Sequence, residues 1–507
     1  MPTSLILAFD VGTSGVKGVL TDLQGQLLES EYRPYAISTH GDGWVDQDFE
    51  EIWQATCEVA RQLAVRSSEK GYAIVAISVA AQMFNVVPVD LLGNPLTPML
   101  SWLDQRADLI ASNLLLRIDR DEQFDLLGSV VSAKDILPKI LWLIENEPKV
   151  IERTWKFLDC KEAVVLRLTG RAVTDYAGAS SYRLFDTASR AWSENACIKV
   201  GILRDWLPDI ESATAVAGPI SDSVANLLGI ATEIPVMVGA GDVPASQVGS
   251  GAVDAGDVHL SLGTAIYFGI SLTEPRLDPK RQLGVLGHMD PQKWILWLEI
   301  ATGGAALTWV ARLLGLETSG HLNFSEIDRS VLACADEMDS LLFAPWLSGE
   351  RVPLFDDQAR AAFIGLGLNH GPGHLLRAVM EGVAFQMRWA LEYGENFGQN
   401  CERVRAVGGG TMGHVWLQIM ANVLDRPIEV IKHSQDAGAI GAAACAIVGI
   451  GKESNFDFVR DLVRVERVLT PDAESSATYK SRYQNYRDLY EALQPIYKKR
   501  RLSPEES

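Results

Sequence analysis

The chain opens on an apolar run, Leu5-Ile6-Leu7-Ala8-Phe9, then Asp10-Val11-Gly12-Thr13-Ser14-Gly15, then a second apolar run from Val16 to Leu20. Two strand-length apolar segments around a glycine-bearing hexapeptide predict a strand, a tight turn and a strand, with a further turn at Asp22-Leu23-Gln24-Gly25. Residues 31–48 read as loop. From Asp48 to Arg66, Ile52, Trp53, Thr56, Val59, Ala60 and Leu63 recur at helical spacing, with Asp48 at the N-cap. Ala73 to Ala80 reads as a buried strand, ending in Ala81-Gln82-Met83-Phe84-Asn85. Residues 107–167 read as mostly helical, followed by a polar stretch from Thr174 to Ser181.

A buried strand, Ile234 to Val238, delivers Gly239-Ala240-Gly241-Asp242-Val243-Pro244. Near here a new section begins. Val258 to Gly269 again reads as strand, Gly263-Thr264 turn, strand, echoing Gly12-Thr13 and suggesting two homologous lobes that each open with a hairpin. Trp294 to Leu298 is a strand, and Ala301-Thr302-Gly303-Gly304 leads into a helix through Leu314. Phe343 to Arg351 is a loop, and Gly373 to Tyr393 a helix. The strand Val404 to Val407 ends in Gly408-Gly409-Gly410, and a helix from Val415 to Leu424 follows. Asp436-Ala437-Gly438 opens a helix of small residues, with Asp436 read as its N-cap. The last fifty residues read as helical. Alternating strands and helices in both halves imply an α/β protein, divided as 1–245, 246–455 and a C-terminal helical extension, 456–507.

The glycine turn changes the picture from fold to chemistry. Glycines admit close approach of a ligand and positive φ, and successive N–H groups form a concavity suited to phosphate oxygens. Thr13 and Ser14 add hydroxyls, Lys17 a cation, and Asp10 a carboxylate able to hold a metal. An ordinary hairpin turn explains the same residues. The stretch is neither a P-loop, which would end in Gly-Lys-Ser/Thr, nor a dinucleotide fingerprint. The net charge of −20 over 507 residues, with a pI near 4.9, disfavours nucleic-acid binding. The basic run Lys498-Lys499-Arg500-Arg501 reads as a solvated tail. Six scattered cysteines without a C-x-x-C pair suggest reduced thiols in a cytoplasmic protein. No signal peptide is evident, and the most membrane-like segment, Ala437 to Gly451, is too short to span a bilayer.

Taken in order, Asp10 to Lys17, Ala81-Gln82-Met83, Trp102-Leu103-Asp104-Gln105-Arg106, Gly239-Ala240-Gly241-Asp242, Ser261-Leu262-Gly263-Thr264, Leu347 to Pro353 and Gly408-Gly409-Gly410 resemble the FGGY family of carbohydrate kinases, most closely its xylulokinase-like branch. The family's second signature fits from Ala361 to Glu381. The first fits at Lys139 and Trp142 and departs at Pro138. The resemblance implies two actin/hexokinase-like (ribonuclease H-like) lobes around a central ATP/sugar cleft, and Mg²⁺-ATP as phosphoryl donor to a sugar or polyol.

By that resemblance Asp242 is the general base and Asp10 the magnesium ligand. Gly12, Thr13, Ser14, Lys17, Gly263, Thr264, Gly303, Gly304, Gly409 and Gly410 belong to the ATP site. Gln82, Met83, Phe84, Trp102, Asp104, Arg106 and Val243 belong to the sugar site. Local readings compete: Asp242 as a helix cap, Met83 and Trp102 as core, Asp104 with Arg106 as an ion pair. The xylulokinase-like branch carries histidine where this chain has Phe84, and asparagine where it has Val243. D-Xylulose is therefore in question as substrate, against another pentulose, a tetritol or another polyol. A non-catalytic ATP-binding regulator and an ATP hydrolase without acceptor are the other readings of the scaffold. A homodimer is a family-level expectation, and no nucleic-acid or membrane partner is expected.

Overall fold

The computed structural model describes residues 3–500, apart from 277, 279, 281, 282, 319, 320, 335–340, 357, 398 and 399. The basic run ends at Arg501, outside the described residues. The chain packs as two compact units. The first comprises Met1–Ala255, Ser271–Leu296 and Asp436–Val463; the second comprises Gly256–Ile270, Trp297–Gln435 and Arg464–Ser507.

The first unit is built on a mixed sheet in the order Val216–Pro219, Pro235–Met237, Ala73–Ala81, Ser4–Val11, Gly15–Asp22, Leu27–Pro34. The short strand Ala240–Gly241 also pairs with Ala73–Ala81. Ser4–Val11 runs antiparallel to Gly15–Asp22 and parallel to Ala73–Ala81. Its apolar run is continuous because both faces are covered. Leu5, Leu7 and Phe9 pack with Ile52, Val59 and Leu63 of the helix Phe49–Glu69. Ile6 and Ala8 pack with Ala439, Ala442 and Ala443 of the helix Ala437–Gly449.

The loop reading of residues 31–48 needs correction. Leu27–Pro34 is a strand, paired with Gly15–Asp22 from Gly15↔Pro34 to Thr21↔Leu27. It lies at the sheet edge and none of its residues is buried, so it lacks the apolar signature of its neighbours. Short strands at Ser38–Thr39 and Val45–Gln47 follow. Part of the polar stretch is likewise ordered and buried: Asp175 caps the helix Tyr176–Ser181 through the Ala177 and Gly178 N–H groups.

The small-residue helix and the helix Asp242–Gly249 meet backbone to backbone. A Cβ on Gly249 would lie 1.8 Å from the Ala437 carbonyl oxygen, and one on Gly441 1.9 Å from that of Ala245. The start of one helix therefore faces the end of the other.

The second unit repeats the pattern. Val258–Leu262 and Ile266–Leu272 form a hairpin, Leu262 pairing with Ile266. Val258–Leu262 runs parallel to Val404–Val407, which runs parallel to Ile428–Ile431. Val465–Leu469 closes that edge antiparallel. The final helix, Ala473–Arg500, turns a row of tyrosines inward: Tyr479 and Tyr483 donate to Glu381 and Glu392, and Tyr486 to Gln386. No helix among the described residues is long and apolar enough to cross a membrane.

Candidate active site

In the first unit three strand ends stand level. Ala80 and Ala81 pair on one side with Asp10 and Val11, and on the other with Ala240 and Gly241. Asp10, Gln82 and Asp242 therefore emerge at the same C-terminal edge of parallel strands, where α/β sheets gather ligands. Asp242 is the first residue of its helix rather than its N-cap. Gly241 holds the cap position, and the Asp242 carboxylate accepts from the Val243 N–H at 2.9 Å. Asp10 lies against the start of the small-residue helix: a Cβ on Gly438 would sit 2.2 Å from its Oδ2. Asp436 stands at that helix's N-cap but makes no side-chain cap bond; it accepts from Lys17 Nζ at 2.7 Å.

The electrostatics separate these carboxylates from ordinary surface aspartates. Burial, and then the neighbouring Asp10 charge, push Asp242 up to about 7. Burial likewise raises Asp10 to about 6, against the opposing pull of Lys17. Both side chains keep partial solvent access. Among the described residues no three His, Cys, Asp or Glu side chains form a closed metal cage. A carboxylate such as Asp10 fits an ion that takes one or two carboxylates and completes its shell with phosphate oxygens and water.

Of the predicted sugar-site residues, Met83 and Val243 adjoin Asp242. Met83 packs on Gly241, where a Cβ would fall 2.2 Å from its Sδ. Gln82 is buried and donates to Gln47 Oε1 at 2.9 Å, and Gln47 in turn donates to the Thr13 carbonyl at 2.9 Å. Trp102 donates its indole N–H to Thr13 Oγ1 at 3.0 Å. Val243 is buried at the start of the Asp242 helix.

Phe84 has a left-handed backbone, φ +67°, and its ring lies 5.7 Å from the Arg183 guanidinium. Asp104 is fully buried and receives Val45 N–H, Arg106 N–H and Arg106 Nε. Arg106 also pairs with Asp46 and stacks on Trp44 at 4.3 Å and Trp142 at 5.2 Å. Asp104 and Arg106 thus form the local ion pair that the sequence left as one reading.

Neither glycine of the first hairpin adopts positive φ. Gly15 is required by close approach instead: a Cβ there would lie 2.5 Å from the Arg33 carbonyl oxygen. Gly12 N–H bonds the Gly15 carbonyl at 3.0 Å, and Tyr35 donates to the Gly12 carbonyl.

In the second unit the predicted ATP-site glycines also converge. A Cβ on Gly304 would lie 2.0 Å from the Gly263 carbonyl oxygen, and the Ala305 N–H donates to the Thr264 carbonyl at 2.9 Å. The N-terminus of the helix Gly303–Leu313 therefore abuts the exposed tip of the hairpin. Gly408, at φ +95°, comes within 2.8 Å of the Leu262 carbonyl oxygen if given a Cβ, and Gly410 packs on Leu262. Sequence reasoning missed Gln47, which ties Gln82 to Thr13, and Asp159, which accepts from Phe84 and Asn85. A lone Gln or Asp gives no sign in a sequence that it is buried.

The chain matches known proteins over nearly its whole length. Residues 5–249 match the model for the FGGY family of carbohydrate kinases, N-terminal domain, and residues 258–450 that for the C-terminal domain. The chain is similar to the xylulose kinase of Escherichia coli strain K12, with 30% identity over 494 residues, covering 97% of this chain and 100% of that protein. It is similar to the gluconokinase of Bacillus licheniformis, with 27% identity over 504 residues, covering 98% of this chain and 97% of that protein. Its structure resembles the ligand-bound xylulose kinase of Lactobacillus acidophilus, with a TM-score of 0.89 and 26% identity over 98% of this chain and 99% of that one. With two mixed sheets of matching topology, and both family domains in order, the chain belongs to the FGGY family of carbohydrate kinases and is an ATP-dependent sugar kinase, a phosphotransferase.

Proposed function

We propose that this kinase phosphorylates an uncharged ketose or polyol, with Asp242 as general base. The observation that carries the reading is the pair Asp10 and Asp242, flanking the Gln82–Met83 strand end, with proton affinities raised to about 6 and about 7. A base that takes a hydroxyl proton near neutral pH works best when its pKa lies there. Asp242 accepts the proton of the attacking hydroxyl while Gln82 and Met83 orient the acceptor beside it. Trp102 and Gln47 hold Thr13 in place. Asp10 would hold Mg²⁺, which when bound neutralises charge on the phosphates.

The Gly12–Thr13–Ser14 and Gly263–Thr264 hairpins and Gly409–Gly410 are read as the nucleotide contacts. The N-terminal N–H groups of the Gly303–Leu313 helix suit a phosphate. Lys17, by its pairing with Asp436, steadies the carboxylates near Asp10.

Two features bear on the acceptor. Phe84 and Val243 stand where the xylulokinase-like branch offers His and Asn, so hydroxyl recognition is weaker there. Arg183, which packs on Phe84, is already engaged by Asp135 at 2.9 Å, and Arg106, which packs on Trp44 and Trp142, by Asp46 and Asp104. A sugar acid such as gluconate would find these cations engaged, which favours a neutral acceptor. The test is acceptor-stimulated ADP release across D-xylulose, other ketoses, tetritols, pentitols and D-gluconate. A neutral acceptor should give the largest kcat/KM; D-gluconate as best acceptor would overturn the reading.

A further inference from the structure

Phe84 raises a physical question that the proposed chemistry does not answer. An aromatic residue with φ near +67° occupies a sparsely populated region and persists only where its surroundings impose it. The neighbours are specific. Asp159, buried at the N-cap of the helix Cys160–Thr169, accepts the Phe84 N–H on Oδ2 at 2.7 Å. Its Oδ1 accepts the Asn85 N–H at 3.0 Å, Asn85 Nδ2 at 2.9 Å and its own helix's Cys160 N–H at 2.7 Å.

On the other side of the residue, Lys139 Nζ, fully buried, donates to the Phe84 carbonyl at 2.7 Å and to that of Lys134 at 2.8 Å. Asn85 passes the restraint on. It donates to the Gln82 carbonyl at 3.0 Å and accepts the Trp102 N–H at 2.9 Å.

We infer that Asp159 and Lys139 form a two-sided clamp on the Phe84 peptide units, and are positioning residues that set the acceptor-facing geometry of Gln82, Phe84 and Trp102. Neither touches substrate in this account. A buried lysine whose ammonium is spent on two carbonyls, and a buried carboxylate spent on four N–H donors, serve the backbone rather than chemistry. Lys139 also fits the family's first signature, and Trp142 of the same signature stacks its ring on Arg106. That signature therefore supports the acceptor side. The inference rests on the assignment of Gln82, Phe84 and Trp102 to the acceptor site.

The tests are Lys139→Met, which keeps the stem and removes the donor, and Asp159→Asn, whose amide would turn N–H against N–H. Amide hydrogen exchange of the ligand-free full chain reads the clamp directly. The Phe84 and Asn85 amides should exchange at least about tenfold faster in either variant, the weight of one lost hydrogen bond. Unchanged exchange overturns the clamp. Steady-state kinetics with D-xylulose, or with the best acceptor of the panel, reads the positioning. The acceptor KM should rise about tenfold while the KM for ATP stays within about twofold. Faster exchange with an unmoved acceptor KM overturns the positioning role while leaving the clamp in place; an acceptor KM unmoved in Gln82→Ala as well overturns the acceptor-site assignment instead. A merely structural loss would lower kcat and raise both KM values together. Phe84→Gly separates the cases further. Glycine adopts positive φ freely, so exchange at Asn85 should respond less to Lys139→Met in that background; an equal response overturns the claim that the clamp serves the strained backbone.

Discussion

At the residue scale, the carboxylates are the informative feature. Asp10 and Asp242 could be named from the sequence because each ends an apolar run and precedes a glycine or a helix start. What could not be read there is that they stand level across one central strand, since that depends on register between segments more than two hundred residues apart. The same applies to Asp104 and Arg106, whose spacing predicted either ligand contacts or an ion pair; Trp44, Trp142 and Asp46 complete the ion pair from distant segments.

The raised proton affinity of Asp242 has a stability consequence. Its carboxyl, at 3.8 unfolded and about 7 folded, binds a proton more tightly in the native state. Stability from this group is full below about pH 4 and is lost as pH rises through about 7. Asp242→Asn removes that loss, so the variant should melt at a higher temperature than the parent at pH 8, the gap narrowing toward pH 4. Thermal unfolding across that range checks it; a variant no more stable than the parent at pH 8 contradicts the buried-charge account.

At the element scale, periodicity found the main strands and helices, and failed where burial is one-sided or absent. Leu27–Pro34 was invisible because an edge strand with no buried residue carries no apolar run. The small-residue composition of Ala437–Gly449 was legible as close packing, but its target was not. The structure shows that Gly249 and Gly441 let its backbone meet the Asp242 helix, and that Gly438 makes room for Asp10. Gly438→Ala tests the last contact. The added Cβ would lie 2.2 Å from Asp10 Oδ2, so the carboxylate must move. Displacements of this size in a reacting site cost about a hundredfold in rate. We expect turnover to fall by about that factor with the circular dichroism spectrum retained. Near-normal turnover would show that Asp10 is not held where the proposed metal site needs it.

At the scale of the whole molecule, the two Gly-Thr hairpins were legible as an internal echo, and each proves to open a sheet whose first strand pairs antiparallel within the hairpin and parallel to a later strand. Gln82–Phe84 and Gly408–Gly410 follow those later strands in the two units. The repeat thus has diverged in chemistry, with polar and aromatic side chains after one strand and bare glycine backbone after the other. That division would suit the proposed roles, with side chains reading an acceptor in one unit and bare backbone approaching a nucleotide in the other. The last fifty residues read as helical, and Ala473–Arg500 is, but Val465–Leu469 before it is an edge strand of the second sheet. The helix's row of inward tyrosines was not singled out, although Tyr479, Tyr483 and Tyr486 recur at helical spacing and meet Glu381, Glu392 and Gln386 of the helix Pro372–Glu395.

The central claim is that a carboxylate at position 242 takes the acceptor's proton. The most direct measurement is acceptor-stimulated ADP release by the parent and Asp242→Asn over pH 5–9, with ATP binding measured alongside. The parent's kcat/KM should climb with pH and level off above about 7, as a base of that pKa requires. The variant should bind ATP normally and lose about 10²–10⁴-fold in turnover. Turnover within a few-fold of the parent, with the same pH profile, would contradict the claim.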